Sequence, residues 1–298
     1  MKLLKIIKKL FRKNDNQINM AGNIEYMYKL RDWIPLNKLS WSGLSKNPRA
    51  IYMLEMNKEN IDWRSFSLNP NAMYLLYNKK KKINWENLSE NPGAILFLKK
   101  NLNKVSWYNL SANPTKEAIE ILMENMDKIQ WTSLSKNSVD EAIDLLKEYP
   151  HKICWDELSR NPNKKACKLL LKNMEKINWW LFSLNSSEWS VKILEKYPHR
   201  IYMNYFAINP FGIHLLNFSY YAEIYDFLSE NPCEEAIQIL QRNQNKIDWY
   251  RFSSNPEIFV YDYERMKKHF YGTYGKELVE KLYHPNNFHK FGEDYWNI

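Results

Sequence analysis

The sequence predicts an all-α fold, a solenoid of about ten tandem repeats of 22 or 24 residues each. The first observation is an aromatic position at fixed spacing, held by Trp41, Trp63, Trp85, Trp107, Trp131, Trp155, Trp179, Met203, Tyr225 and Trp249. The second is an asparagine six residues after it: Asn47, Asn69, Asn91, Asn113, Asn137, Asn161, Asn185, Asn209, Asn231 and Asn255. Because no unit of this size can bury its own apolar face, neighbouring units must stack. We number the units one to ten from Trp41.

Each unit is predicted to contain two helices, and the first is short. It begins at the aromatic position and extends for one or two turns, in α or 3₁₀ geometry. The residue before it has a side chain that can accept a hydrogen bond from a free backbone N–H, and so can serve as an N-cap. Such caps are Asp62, Asn84, Ser106, Asn178 and Asp248.

The second helix is predicted to begin at the Asn-Pro pair, with Asn as the N-cap and Pro in the first turn. Ser138 and Ser186 replace the proline in two units, which indicates that the asparagine matters more. Apolar residues follow at helical spacing, in unit four at Ala118, Ile119, Ile121 and Leu122. An asparagine at the far end is expected to close the helix in the left-handed conformation, at Asn57, Asn101, Asn125, Asn173 and Asn243.

The tryptophan row is interpreted as core between stacked layers. On this interpretation Trp107→Ala costs about 3–5 kcal/mol. A stacking surface for nucleic-acid bases is the disfavoured alternative, because a residue repeated in every unit beside Leu and Ile is usually a packing residue.

The unit W-x-x-L-S-x-N-P-x-x-x-A-I-x-L-L resembles the leucine-rich repeat variant, a solenoid of alternating α and 3₁₀ helices. The stretch Asp32-Trp-Ile-Pro-Leu-Asn-Lys-Leu-Ser-Trp41, followed by L-S-x-N-P repeats, is more closely similar to uncharacterised repeat proteins of giant DNA viruses of amoebae. This resemblance covers about residues 30 to 256. That resemblance implies a viral protein acting in the host cytoplasm or virion. Bacterial variant repeats can carry an iron–sulfur cluster on an N-terminal cysteine cluster, which this chain lacks, so no cofactor is implied.

Four regions are predicted: a basic amphipathic extension and linker (1–20), an N-terminal cap (21–40), the repeats (41–256) and an aromatic-rich C-terminal cap (257–298). Removing the first 13 residues from the chain, which has a net charge of +9, leaves 37 basic against 34 acidic residues. That balance disfavours a general phosphate-binding surface. The extension itself has three open interpretations, a docked cap, a helix on an anionic membrane and an RNA-binding segment, the last two acting through Lys2, Lys5, Lys8, Lys9, Arg12 and Lys13.

The sequence also bears on where the protein is located in the cell. No apolar run is long enough for a transmembrane helix, and no secretory signal is visible. Cys154, Cys167 and Cys233 form no paired motif and are predicted to be reduced, which favours an intracellular, cytoplasmic protein.

Positions two, three and six of each unit are predicted to lie on the exposed side of the first helix, where most units carry polar residues. Units seven to nine instead carry Trp180, Leu181, Leu184, Tyr205, Ile208 and Phe227. An apolar patch of this kind indicates a contact surface. Its occupant is either a protein partner or the aromatic C-terminal segment of the same chain.

The sequence contains no recognisable catalytic or metal-binding motif. His151 and His199 occupy equivalent loops two units apart, about 20 Å at normal helix spacing, too far for one ion. The prediction is a non-catalytic scaffold for protein–protein interaction. The alternatives are an attachment protein that binds nucleic acid or a membrane surface through residues 1–13, and a structural virion component.

Overall fold

The computed structural model describes residues 27–216, 218 and 223–270, and it confirms an all-α repeat fold. The described residues fall into two compact units, 27–29 with 260–270, and 30–259. All ten repeats belong to the second. The four predicted region boundaries remain predictions.

The first helices are short α-helices that begin at the aromatic position in nine of the ten units. The predicted caps are confirmed: for example, Asn84 Oδ1 accepts from Asn87 N at 2.9 Å and Asp248 Oδ1 from Arg251 N at 3.0 Å. The helices are Trp41–Lys46, Trp63–Phe66, Trp85–Glu90, Trp107–Ser111, Trp131–Lys136, Trp155–Ser159, Trp179–Ser183, Met203–Phe206, Ile224–Leu228 and Trp249–Ser254.

The second helices are longer in the 24-residue units, because the two extra residues move the helix start. The prediction that the repeat asparagine is the N-cap of this helix is wrong: in the 24-residue units the N-cap is a residue two positions later, such as Thr115, Asn163 or Ser187. In units one and two the N-caps are Ala50 and Ala72. The second helices are Ile51–Met56, Met73–Asn78, Ile95–Lys99, Lys116–Met123, Asp140–Glu148, Lys164–Leu171, Glu188–Leu194 and Glu234–Arg242; in unit eight, the part that the structure describes contains the 3₁₀ turn Ile213–Leu215 in this place.

The polar loop after the second helix is itself a 3₁₀ turn in most units. The asparagine before this turn does not adopt the predicted left-handed conformation, since no described non-glycine residue has positive φ. Its side chain instead donates to a carbonyl of the preceding turn, as Asn125 Nδ2 does to Ile121 O at 2.8 Å. The turns are Leu36–Lys38, Lys58–Asn60, Lys80–Lys82, Leu102–Lys104, Met126–Lys128, Pro150–Lys152, Met174–Lys176, Pro198–Arg200 and Gln244–Lys246; Pro92–Ala94 and Pro256–Ile258 are 3₁₀ turns that directly follow a repeat asparagine.

The buried core is centred on the fourth position of the unit rather than on the tryptophan. Leu110, Phe182 and Phe252, for example, have no exposed surface. The tryptophans are half-buried, so the expectation that they form the core is wrong. Each lies at the rim, where a basic residue from the next 3₁₀ turn covers several of the rings: Lys104 lies 4.9 Å from the Trp85 ring centre and Lys176 lies 5.0 Å from that of Trp155.

The repeat asparagine connects each unit to the one before it. Its Nδ2 donates to the carbonyl of the preceding unit's asparagine at all ten positions, with distances of 2.7–3.0 Å. In most units the same nitrogen donates to a second carbonyl, as Asn137 does to Ser111 O at 3.0 Å. Its Oδ1 accepts a backbone N–H two residues later, for Asn137 from Val139 N at 3.1 Å. One buried side chain therefore fixes both the turn within a unit and the step between units.

The serine at position five forms a second inter-unit contact. Ser135 Oγ donates to Trp131 O at 2.8 Å and accepts from Cys154 N at 3.0 Å. The same pair of bonds recurs in other units, so this serine ties its own first helix to the start of the next one.

These contacts also join unit ten to unit one, so that the array closes on itself. Asn47 Nδ2 donates to Asn255 O at 2.8 Å and to Ser253 O at 3.2 Å, as at any internal joint. Ser40 N donates to Ser253 Oγ at 2.8 Å, and Lys38 lies 5.1 Å from the Trp249 ring centre. Gly43 permits this approach, because a Cβ there would lie 2.6 Å from that of Ser253. Residues 30–259 thus form a closed ring of ten units.

The two short strands pair in a two-stranded sheet, β1 (Tyr28–Leu30) with β2 (Phe259–Tyr261). In the smaller unit Tyr28 stacks on Tyr261 with ring centres 4.8 Å apart, and the helix Tyr263–Phe270 follows β2.

Removing one inter-unit asparagine tests the energy of these joints. Asn137→Ala removes the donor to the buried Ser111 carbonyl, one of two donors to the Asn113 carbonyl and the acceptor of the Val139 N–H. We therefore expect it to lower the free energy of unfolding by about 2–3 kcal/mol. Asn125→Ala loses only one half-buried bond and should cost about 1 kcal/mol. Urea denaturation followed by circular dichroism measures both, and equal costs would contradict a special role for the repeat asparagine.

Candidate interaction surface

The structure brings the predicted apolar residues of units seven to nine together on neighbouring first helices. The Trp180 and Tyr205 rings meet edge to face with centres 5.2 Å apart, and the Tyr205 and Phe227 rings do the same at 4.8 Å. The guanidinium of Arg251 lies 4.7 Å from the Phe227 ring centre and ends the series. We call Trp180, Tyr205, Phe227 and Arg251 the aromatic row; Arg251 was not predicted as part of it.

The exposure of these residues differs from the prediction. Trp180 is exposed, with 41% of its surface accessible. Leu181, Leu184, Tyr205, Ile208 and Phe227 are only half-buried, because positions three and six of one unit pack against the next. Position two alone is exposed in most units.

This face lies on the inner side of the ring. Across most of the ring, adjacent first helices lie closer together than adjacent second helices, and in a closed ring the more closely spaced layer is the inner one. The ion pair between Lys136 Nζ and Glu90 Oε1, at 3.2 Å, agrees with this because it reaches past unit four, where Ala112 occupies the same position.

The charges of the inner face are balanced and largely paired. Positions two, three and six of the ten units hold five basic and six acidic side chains. Arg160 pairs with Glu157 at 2.6 Å, and Arg251 pairs with Glu230 and Asp248. Burial tends to lower the pKa of Arg251, but these acidic partners raise it overall, so the residue stays charged. A balanced face of this kind does not fit the phosphate backbone of a nucleic acid.

The structure does not describe every predicted site. The six basic residues of the N-terminal extension, Lys2, Lys5, Lys8, Lys9, Arg12 and Lys13, lie outside the described residues, and so does the C-terminal region from 271. Both alternatives for what contacts the apolar patch therefore stay open.

The described ranges contain no group of three or more His, Cys, Asp or Glu residues arranged to hold a metal ion. Cys154, Cys167 and Cys233 are free thiols, and burial raises the pKa of the Cys167 thiol, which makes it a poor nucleophile. Among the same residues no helix has the length and apolar character needed to cross a bilayer.

Comparisons with protein-family models, curated proteins and solved structures find no match for this chain. Its functional interpretation rests on the geometry of the ring and its surfaces.

The aromatic row can be tested for a role in folding. Because Trp180 keeps 41% of its surface exposed, Trp180→Ala should lower the free energy of unfolding by only about 1–2 kcal/mol. Phe182→Ala, two residues away and fully buried, should cost about 3–5 kcal/mol. If thermal and urea denaturation give both variants the same large loss, Trp180 belongs to the interior and is not available to a partner.

Proposed function

We propose that the protein is a non-catalytic, ring-shaped scaffold that binds another protein through the aromatic row and its apolar neighbours. The observation that supports this most directly is the aromatic row itself, in which Trp180, 41% exposed at position two, continues edge to face into Tyr205 and Phe227. Tyr108 and Tyr250 are also exposed at position two, but their units carry no large apolar residue at positions three and six. Tryptophan, tyrosine and arginine are the residues most often found at the energetic centres of protein interfaces.

The chemistry of the surface favours an apolar protein segment as the ligand. Leu181, Leu184 and Ile208 occupy positions three and six of units seven and eight and add half-buried aliphatic surface to the same face. Arg251 supplies one charge at its end, already paired with Glu230 and Asp248. Such a surface offers few hydrogen bonds, so affinity would come mainly from buried apolar area.

The proposal includes an intracellular location and a viral setting, both of which rest on the sequence. The second candidate function is attachment to nucleic acid or an anionic membrane through residues 1–13, which hold six basic residues and no acidic one. A structural role in a virion is compatible with either mode of binding.

A partner-capture experiment tests the proposal. The tagged protein is incubated with extract of the native or infected cell, and bound proteins are identified by mass spectrometry. Trp180→Ala combined with Leu184→Ala should reduce the amount of captured partner at least about tenfold, because the double variant lacks the exposed ring and an aliphatic side chain of the same unit.

The chain provides a matched control. Tyr108→Ala combined with Leu68→Ala removes an aromatic residue from position two and a leucine from position six, but in units four and two. The partner should bind this variant, and a protein lacking residues 1–13, as it binds the wild type. Loss of binding only in the deletion variant, together with a steep dependence on salt, would contradict the proposal and favour attachment through the extension.

A further inference from the structure

A second surface lies on the second helices of units two and three, away from the aromatic row. Their second position is Tyr74 in unit two and Leu96 in unit three, with 68% and 74% of their surface exposed. The equivalent position holds Tyr52, which is half-buried, in unit one, and Glu120, Asp144, Lys168, Lys192 and Gln238 in units four to seven and nine. Units two and three thus expose large apolar side chains at a position where units four to seven and nine carry polar ones.

Leu96 lines a groove between the two units. Its volume is about 520 Å³, and its apolar part is formed by Met73, Tyr77, Trp85, Leu96 and Phe97. Within it the Trp85 ring stacks on that of Phe97 with centres 5.6 Å apart, and Tyr77 meets Phe97 edge to face at 6.4 Å. The groove is large enough to take one bulky apolar side chain.

The groove is surrounded by positive charge. Seven exposed lysines lie on the second helices and 3₁₀ turns of the two units: Lys79, Lys80, Lys81, Lys82, Lys99, Lys100 and Lys104. The segments 63–85 and 91–116 contain no aspartate or glutamate. The two acidic residues between them, Glu86 and Glu90, belong to a first helix at positions two and six, on the inner face.

Acidic residues on the neighbouring units mark the limits of this surface. Unit one carries Glu55 and Glu59 on its second helix and the turn that follows, and unit four carries Glu117, Glu120 and Glu124. The positive patch is therefore two units wide, the same width as the groove. This match of charge and shape is hidden by the small net charge of the repeats as a whole.

We propose that this groove, which we call the lysine-rimmed groove, binds an acidic peptide segment of a partner protein that inserts one bulky apolar or aromatic side chain. The apolar floor would hold the inserted side chain, and the lysines would neutralise the flanking carboxylates. The proposal concerns a different surface from the aromatic row and does not depend on it.

The groove fits a peptide better than a single-stranded nucleic acid. Base binding needs open ring faces, but Trp85 is stacked on Phe97 and also covered by Lys104, and Lys80 lies 4.8 Å from the Tyr77 ring centre. Met73 and Leu96 add flexible aliphatic surface, which suits a side chain.

Fluorescence anisotropy with defined probes tests the proposal. The main probe is a labelled peptide of about a dozen residues with glutamates around one central phenylalanine. The second probe replaces this phenylalanine with serine, and the third is a labelled oligothymidylate. We expect the first peptide to bind at least about fivefold more tightly than the second, and its affinity to fall as salt is raised.

Two variants locate the site, and both change exposed residues, so folding should be unaffected. Lys80→Glu with Lys100→Glu and Lys104→Glu should weaken the first peptide at least about tenfold. Leu96→Ser should weaken it about fivefold. The matched control is Lys152→Glu with Lys168→Glu and Lys172→Glu, three exposed lysines of units five and six. It changes the net charge of the protein by the same amount as the first triple variant but leaves the groove intact. It should therefore change the affinity less than about twofold.

Each of the following results would contradict the proposal that the groove binds an acidic peptide. Equal affinity for the two peptides, or equal weakening by the two triple variants, would show non-specific attraction to positive charge. Binding of the oligothymidylate alone would make the surface a nucleic-acid site. No binding of the phenylalanine peptide at millimolar concentration would also reject the proposal.

Discussion

The hydrogen bonds of the buried repeat asparagine are the constraint on which the ring depends. An asparagine side chain has one carbonyl and one NH₂ group. Here the carbonyl accepts a backbone N–H of its own unit, and the NH₂ donates to backbone carbonyls of the unit before. Because an unpaired buried polar group is costly, each joint is held to one geometry. Repeating that geometry ten times brings the last unit onto the first, where Asn47 binds Asn255 as at the internal joints.

Closure of the ring covers the apolar faces of the terminal units, which open repeat arrays cover with atypical end units. The terminal units of a solenoid expose an apolar face and need atypical ends. Here unit ten covers the exposed side of unit one, and Gly43 gives the backbones room to approach. Residues just outside the repeats strengthen the joint, for example Arg31, whose backbone N–H donates to Ile258 O and whose side chain pairs with Glu234.

The sequence predicted the repeat, its helices and the caps of the first helix because these depend on local spacing and local hydrogen bonds. It could not predict closure, which depends on the angle between units; that angle is set by the long-range bonds of Asn and Ser. The tryptophans were assigned to the core because of their size, yet Leu and Phe three residues later fill it. The left-handed ends were expected because asparagine tolerates that conformation, but its side chain can instead bond the preceding turn, as in Asn57.

The aromatic row was partly predictable. Comparing equivalent positions between units identified Trp180, Tyr205 and Phe227, since an apolar residue among polar ones is visible in the sequence. The contacts between these rings, and the position of Arg251 at the end of the row, could not be predicted, because both depend on the spacing of the first helices. The lysine-rimmed groove was missed because charge was averaged over all units, whereas its lysines and exposed rings are concentrated in two.

Closure of the ring can be measured directly by the distance between two spin labels, at Ser42 in unit one and Tyr250 in unit ten. Residues that occupy the native cysteine positions in other units provide a cysteine-free background: Cys154→Ser, Cys167→Ile and Cys233→Thr. Labels at Glu86 and Tyr108, at position two of adjacent internal units, give the reference distance. A closed ring predicts the same narrow distance for both pairs. An open array of ten layers, spaced about 8–10 Å apart, would place the first pair several tens of ångströms apart and contradict closure.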